Sequence, residues 1–271
     1  MTTTTASALR VRPRIWIGLA IWLGYMLVVL AIQLASGIPY DDWGANATNL
    51  FFGAGMSLII ATVLLVITTS LLGWWRPALF DRERSRHRWP IFVPIVVAVA
   101  ALLNLSAVDW GSYTGAFFAA SVVLLLVGFT EEIVDRGLLV VGLRSRLGEG
   151  WVWFLSSALF ALSHFINVAL GAPVFNTAFQ VASAFLGGTA FYILRRTTGS
   201  LIWAMVLHGL WDFSVFAVGV GNPSALLGVA NILYLIAGVI GLAVVAFVIR
   251  GANERTDAAP PPVAAASAPG A

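Results

Sequence analysis

The segment GAFFAASVVLLLVGFTEEIVDRGLLVVGL, residues 115–143, places four charged side chains inside an otherwise apolar run. They are Glu131, Glu132, Asp135 and Arg136. The run exceeds the roughly 20 residues that cross a bilayer, so we predict a span that is tilted, kinked or extended into the cytosol. Ionisable groups within a span are costly and usually face a cavity or each other. The segment therefore predicts both a membrane fold and a polar site inside it.

The composition of the whole chain supports an all-α polytopic membrane helix bundle. The chain has 271 residues, of which 60% are hydrophobic and 10% charged, and its mean hydropathy is +0.93. A soluble domain cannot bury that much apolar surface. With no cysteine, disulfides and thiolate metal ligands are excluded. We predict about eight transmembrane helices: Ile15–Ala35, Leu50–Leu72, Ile91–Val108, Gly115–Leu143, Trp151–Leu170, Val174–Leu194, Leu201–Val220 and Leu226–Ile249.

The arginines predict the orientation of these spans. All 15 basic residues are arginine, and every one except Arg136 falls on the same side of an eight-span arrangement. The opposite loops contain Asp41, Asp42 and Asp109 and no arginine. Positive loops stay in the cytosol, so both termini are predicted to be cytoplasmic. The net charge of +3 is then a feature of one membrane face, which predicts contact with the lipid bilayer and no binding to nucleic acid. The fourteen are Arg10, Arg12, Arg14, Arg76, Arg82, Arg84, Arg86, Arg88, Arg144, Arg146, Arg195, Arg196, Arg250 and Arg255.

Three regions follow from this arrangement. Residues 1–14 form a cytoplasmic segment, and residues 15–250 form the bundle, with the polar residues of interest within 115–220. Residues 251–271 are rich in Ala and Pro, which predicts a disordered cytoplasmic tail. The charge run DRERSRHR, residues 81–88, is interpreted as a solvated cytosolic loop that touches anionic lipid.

Three ionisable residues from three separate spans are predicted to lie at one depth. Counted along helices from the arginine side, Glu131, His164 and His208 are each about 18–21 Å into the membrane. Local spacing adds two pairs. Glu132 and Arg136 stand at i,i+4 and can form an ion pair. His208 is also four residues before Asp212, whose carboxylate can fix the imidazole tautomer.

Two chemistries suit this set. Glu131, His164 and His208 could ligate a catalytic divalent metal such as zinc, with an open position for water. Alternatively, without a metal, Glu131 could take a proton from water while the histidines orient that water or stabilise an oxyanion. The cofactor is therefore left open. Neither an HExxH nor a GxSxG motif occurs.

These residues resemble a known family. The patterns Glu131-Glu132-x-x-x-Arg136, Phe160-x-x-x-His164 and His208-x-x-x-Asp212 are similar to the three-part signature of the CPBP family, the CAAX proteases and bacteriocin-processing enzymes, also called Abi. The resemblance implies a polytopic intramembrane protease in which Glu131 is the general base, His164 helps to activate water, and His208 with Asp212 forms the oxyanion-stabilising or orienting pair. Glu132 and Arg136 would hold the site together.

The sequence departs from the family pattern at two positions. Prenyl-protein proteases carry Asn where this chain has Asp212, and an ionised Asp cannot donate a hydrogen bond to an oxyanion. Asp212 would then be protonated, or would serve only as an acceptor for His208. Position 135 is often aromatic, and here it is Asp135. Asp135 could raise the pKa of Glu131 by repulsion, but we favour a position facing cytosolic water.

Three functions compete at this point. The first is an intramembrane endopeptidase of the cell membrane, expected to be the bacterial plasma membrane. It would cut a membrane-associated protein or peptide on or near the cytoplasmic side. The second is a non-catalytic immunity or scaffold protein on the same fold, in which the charges only lock helices together. The third is a proton-coupled transporter, because buried carboxylates and histidines also form proton relays.

Overall fold

The computed structural model describes residues 9–222 and 225–255. Eight long helices account for most of this part of the chain, and no strand occurs within it. Seven of them are long and apolar enough to cross a membrane, while α7, with 17 residues, is slightly shorter. The predicted all-α membrane bundle is thus confirmed. The helices are α1 Ile15–Ser36, α2 Ala47–Leu72, α3 Trp89–Ser106, α4 Gly115–Leu143, α5 Glu149–Ala169, α6 Val174–Thr198, α7 Ile202–Val218 and α8 Leu226–Ile249.

Three of the helices are irregular, although the sequence allows a kink only in α4 and predicts unbroken spans for α2 and α5. Helix α2 contains a π-helical turn at Phe51–Gly55. Helix α4 loses regular α-helical bonding at Leu124 and Leu125 and widens into a second π-helical turn at Ile133–Leu138. Helix α5 tightens at His164, whose backbone nitrogen bonds to the oxygen of Ala161 three residues earlier. Such local changes of helical pitch often mark functional sites, and two of these three contain residues of the predicted site.

Helix α4 lies at the centre of the packing. It contacts α1 and α2 on one side and α7 on the other, and α7 in turn packs on α3. Helix α6 contacts α5, α7 and α8. The crossing of α4 and α7 is close because two glycines meet there: a Cβ atom on Gly128 would clash with the carbonyl oxygen of Met205 and the backbone nitrogen of Gly209. Small residues allow such an approach between membrane helices, and they bring the polar stretch of α4 next to His208.

A buried ion-pair network closes the arginine-bearing end of the bundle. The side chain of Asp81 is fully buried and contacts Arg195 at 2.8 Å, Arg144 at 2.9 Å and Arg196 at 2.5 Å. Arg144 also pairs with Glu149. Burial alone would raise the pKa of Asp81, but the three guanidinium groups outweigh it and hold that pKa below its ordinary value. The loop is therefore anchored to the bundle through Asp81.

Two sequence interpretations are corrected at this end. Asp81, interpreted as part of a solvated loop, has a fully buried side chain, whereas Arg86 and Arg88 in the same loop are exposed. Glu254, placed at the start of a disordered tail, is 3% exposed and accepts hydrogen bonds from the backbone nitrogens of Arg82 and Glu83. Residues 251–255 are thus held against the bundle. Residues 1–8 and 256–271, which belong to the predicted terminal segments, lie outside the described residues.

Replacement of Asp81 by Asn is expected to destabilise the protein. It would leave three buried guanidinium groups without their carboxylate, and breaking a buried ion pair costs about 3–5 kcal/mol. Because the pKa of Asp81 is lowered on folding, its contribution is complete above the ordinary value of about 3.9 and is lost as the pH falls through the folded-state value. Thermal unfolding in detergent at neutral pH measures the effect. Glu83→Gln, an exposed change in the same loop, is the control; equal midpoints for both variants would contradict the prediction.

Candidate active site

One cavity brings the predicted site residues together. Its volume is about 740 Å³, and its walls come from every long helix except α3. The cavity contains a polar zone at mid-bundle and a mainly apolar remainder. The four side chains predicted to be catalytic all line it: Glu131 of α4, His164 of α5, and His208 and Asp212 of α7.

The two adjacent glutamates of α4 face different surroundings, as their roughly 100° separation on a helix predicts. The Glu131 side chain is 21% exposed and lies on the cavity wall. The Glu132 side chain is fully buried and forms the predicted ion pair with Arg136 at 3.0 Å. Glu131 is therefore accessible to a substrate in the cavity, whereas Glu132 supports the wall from behind.

His208 is surrounded by three carboxylates. Its Nδ1 atom lies 2.9 Å from Glu132, which is hydrogen-bond distance. Its Nε2 atom lies 3.5 Å from Asp212 and 3.7 Å from Glu131, distances too long for a strong direct bond. The prediction that Asp212 fixes the tautomer of His208 stays a prediction, because its carboxylate faces Nε2 without a short contact. Glu132 makes the short contact, and Asp212 shares the opposite edge of the ring with Glu131.

Arg136 is enclosed by groups that fix its position. The guanidinium carbon lies 3.8 Å from the centre of the Phe160 ring, a cation–π contact. A Cβ atom on Gly188 would clash with its Nη2 atom, so the absence of a side chain there makes room for the guanidinium. Arg195 donates a hydrogen bond to the backbone oxygen of Arg136. Arg195 thus contacts the site through the backbone of Arg136 and the ion-pair network through Asp81.

His164 stands where α5 tightens. Its Nδ1 atom is 3.0 Å from the backbone oxygen of Phe160. A carbonyl only accepts, so Nδ1 carries the proton and Nε2 is left as an acceptor. The rings of Phe160 and His164 meet edge to face at 5.1 Å, and Phe160 also meets His208 at 5.5 Å. The Phe160 ring therefore lies against both imidazoles.

The preferred interpretation of Asp135 is wrong. The residue is 2% exposed and does not face cytosolic water. Its Oδ1 atom has no hydrogen-bond partner among the described residues. The π-helical turn explains the error, because the widened turn changes the direction of side chains relative to a regular helix.

Several contributors to the site are not apparent from the sequence. Phe191 of α6 stacks on His208, with 4.7 Å between ring centres, and nothing distinguishes it from other apolar residues of that helix. Asn167 and Gln180, two amides within apolar helices, also line the cavity and share a hydrogen bond of 2.9 Å. The one feature of the sequence that indicates a role in the site is their position as isolated amides within apolar spans.

The arrangement does not fit the metal site considered above, in which Glu131, His164 and His208 would be the ligands. Within residues 9–222 and 225–255, no group of three or more His, Asp or Glu side chains is arranged to hold a metal ion. The Nδ1 atom of His208 is engaged by Glu132 and that of His164 by a carbonyl, so only the two Nε2 atoms could face a metal. The Nε2 atom of His208 lies against two carboxylates, and the Phe160 ring contacts both imidazoles. We therefore derive no step through a metal.

A partly exposed glutamate and two histidines thus line one cavity inside a membrane helix bundle. Residues 113–214 match the family model described as type II CAAX prenyl endopeptidase Rce1-like. The match is consistent with the CPBP family and confirms the resemblance predicted from the three motifs. It covers α4 to most of α7 and includes every residue of the predicted site. Comparison with curated proteins gave no match. The chain is a multi-pass membrane protein, and the family that it matches over residues 113–214 supports protease activity.

Substitution of Gly128 by Ala is expected to disturb the site. The added methyl group would meet the backbone of α7 and push Glu131 away from His208, and overpacking of this kind costs about 1–3 kcal/mol. Thermal unfolding in detergent measures the loss. Gly24→Ala is the matched control, since a Cβ atom at Gly24 of α1 has nothing within 4 Å. A Gly128→Ala protein as stable as Gly24→Ala would contradict the close crossing of α4 and α7.

Proposed function

We propose that the protein is an intramembrane endopeptidase that hydrolyses a peptide bond of a membrane-associated protein or peptide. The observation that carries the proposal is the 3.7 Å separation between Glu131 and the Nε2 atom of His208 on the wall of the cavity. At this distance the two groups face one point of the cavity, where Glu131 can bond to a water molecule and Nε2 to the oxygen of a peptide carbonyl. The match of residues 113–214 to a prenyl endopeptidase family supports the same reaction class.

Glu131 acts as the general base in this proposal. Its carboxylate takes one proton from water as the water oxygen attacks the peptide carbonyl, and a new C–O bond forms. The tetrahedral intermediate then collapses, the C–N bond breaks, and Glu131 returns the proton to the leaving amine. Water supplies the hydroxyl and the hydrogen that the two products require, so no further reactant is needed.

His208 stabilises the oxyanion. With Glu132 at 2.9 Å from Nδ1 and carboxylates facing Nε2, the ring can donate on both edges only as an imidazolium. Its Nε2–H is then available to the oxygen that becomes negative, and a prepositioned donor of this kind contributes strongly to catalysis. Glu132 and Arg136 hold the ring from behind. His164, whose Nε2 is an acceptor, orients the attacking water.

The competing functions account for less of the arrangement. A scaffold needs the buried Glu132–Arg136 pair but gives no reason for a partly exposed Glu131 on a cavity wall. A transporter would have to open the buried ion-pair network at one end of the bundle in each cycle, whereas the peptidase function requires no such opening. The expected substrate class remains a membrane-associated protein or peptide, with the cofactor undefined.

Replacement of Glu131 by Gln is expected to lower cleavage by about 10²–10⁴-fold, the usual contribution of a general base. Protein N-termini in membranes of cells that express the wild type are compared with those from cells that express the variant at equal level. New N-termini should appear with the wild type and with Glu83→Gln, an exposed change in a loop, and not with Glu131→Gln. Identical N-termini in all three strains would exclude proteolysis and favour the scaffold function.

Two substitutions of Asp212 separate its roles. Asp212→Asn keeps an oxygen that can accept from His208 and adds an amide donor, so cleavage should stay within about tenfold of the wild type. Asp212→Ala removes the acceptor and should lower cleavage by about 10- to 100-fold, as with other groups that orient a functional histidine. Rates of product formation after induction measure both. Equal loss in the two variants would show instead that the reaction requires the carboxyl group itself.

A further inference from the structure

We propose that the cavity opens only at the membrane face opposite the arginines, and that the segment it cuts is an extended extracytoplasmic stretch of a membrane-associated protein. This inference rests on the proposed peptidase function for the identity of the substrate. The direction of access rests on the fold alone, and the two parts can be tested separately.

The cavity runs from the site toward one end of the bundle. Its lining includes Tyr40 and Trp43, from the connection between α1 and α2, and Phe216, from the last turn of α7. It also includes Asn167 near the end of α5 and Phe179 near the start of α6. All these positions lie toward the end of the bundle that has no arginine loops. No cavity-lining residue comes from the loops 73–88, 144–148 or 199–200.

The opposite end is closed by charged side chains that are themselves buried. The side chains of Arg195 and Asp81 are fully buried, and those of Arg144 and Arg196 are 2–3% exposed. Glu254 adds to the closure, with a side chain that is 1% exposed. Opening a path here would separate several buried ion pairs, and a buried charge without its partner is strongly unfavourable. Access from this face would therefore require breaking the network.

The arginine distribution identifies the two faces. Loops rich in arginine remain on the cytoplasmic side, so the closed end faces the cytosol and the open end faces outward. The sequence led us to expect cleavage on or near the cytoplasmic side, and the direction of the cavity argues for the reverse. A substrate segment would enter from outside and reach Glu131 at mid-bundle.

The lining of the passage indicates an extended peptide. Asn167 and Gln180 form an amide pair on its wall, and Gln33 of α1 is 7% exposed with an Oε1 atom that lacks a partner among the described residues. Amide groups can bond to a free peptide backbone, whereas the backbone groups of a helix bond to each other. Phe179, a lining residue near the start of α6 that is 60% exposed, would contact apolar substrate side chains. The substrate is thus an unwound, apolar segment.

Single-cysteine labelling tests the direction of access, because the natural chain has no cysteine. Ser163→Cys and Ser183→Cys place a thiol on the cavity wall. Asp41→Cys and Arg86→Cys report the two faces, and Ser157→Cys is a fully buried control. A charged, membrane-impermeant maleimide is added to intact spheroplasts and, separately, to inverted membrane vesicles, at about pH 8.5, where a thiol is half ionised.

We expect the two cavity thiols to behave like Asp41→Cys and to label at least about tenfold faster in spheroplasts than in inverted vesicles. Arg86→Cys should show the reverse preference, and Ser157→Cys should remain unlabelled in both. Cavity thiols that label like Arg86→Cys, from both sides, or not at all would overturn one-sided access. Labelling of Arg86→Cys in spheroplasts would overturn the assignment of the open face as extracytoplasmic.

The comparison of N-termini between wild type and Glu131→Gln then tests the substrate. The expected result is a set of Glu131-dependent N-termini in extracytoplasmic segments next to or within spans. Glu131-dependent N-termini in cytoplasmic segments would overturn the inference while leaving the peptidase function intact. Outward labelling without any Glu131-dependent N-terminus would remove the peptidase function and leave one-sided access standing.

Discussion

The rest of the structure depends on a row of charges that α4 carries into the bundle. Arg136 pairs with Glu132, and Glu132 in turn bonds to His208 of another helix. An arginine alone at this depth would be strongly unfavourable, so the helices must pack closely enough to supply partners. The cation–π contact with Phe160 and the space at Gly188 complete its surroundings. The position of the imidazole is therefore a result of neutralising one buried cation.

A second set of buried ion pairs closes one end of the bundle. Around Asp81, three guanidinium groups share one carboxylate at the end of the bundle. Arg195 joins the two sets, because it bonds both to Asp81 and to the backbone of Arg136. In the proposed arrangement the cavity is open at one end of the bundle, and one layer of ion pairs closes the other end. Water that enters the cavity would then reach Glu131 without a continuous aqueous path through the membrane.

Much of the fold and the membership of the site could be predicted from the sequence, because both follow from transfer free energies. Apolar runs locate the spans, and isolated ionisable residues in them, such as Glu131 and His164, indicate the site. The errors concern directions that depend on tertiary contacts. Asp135 points inward because α4 widens locally, and Asp81 is buried because distant arginines converge on it. Neither the widened turn nor the convergence of the arginines is indicated by a hydrophobic periodicity or a motif in the sequence.

The π-helical turn at Ile133–Leu138 also has a consequence for how this fold tolerates insertions and deletions. Such a turn holds one residue more than an α-helical turn of the same length. The extra residue rotates the part of α4 before the turn relative to the part after it. The side chains that face the cavity and those that pack against α1 therefore need not lie on one continuous face of a regular helix. Loss of a single residue here would turn one part relative to the other by about 100°. Length variation among proteins of this architecture should consequently be concentrated in loops and absent from this turn, although the turn itself is irregular.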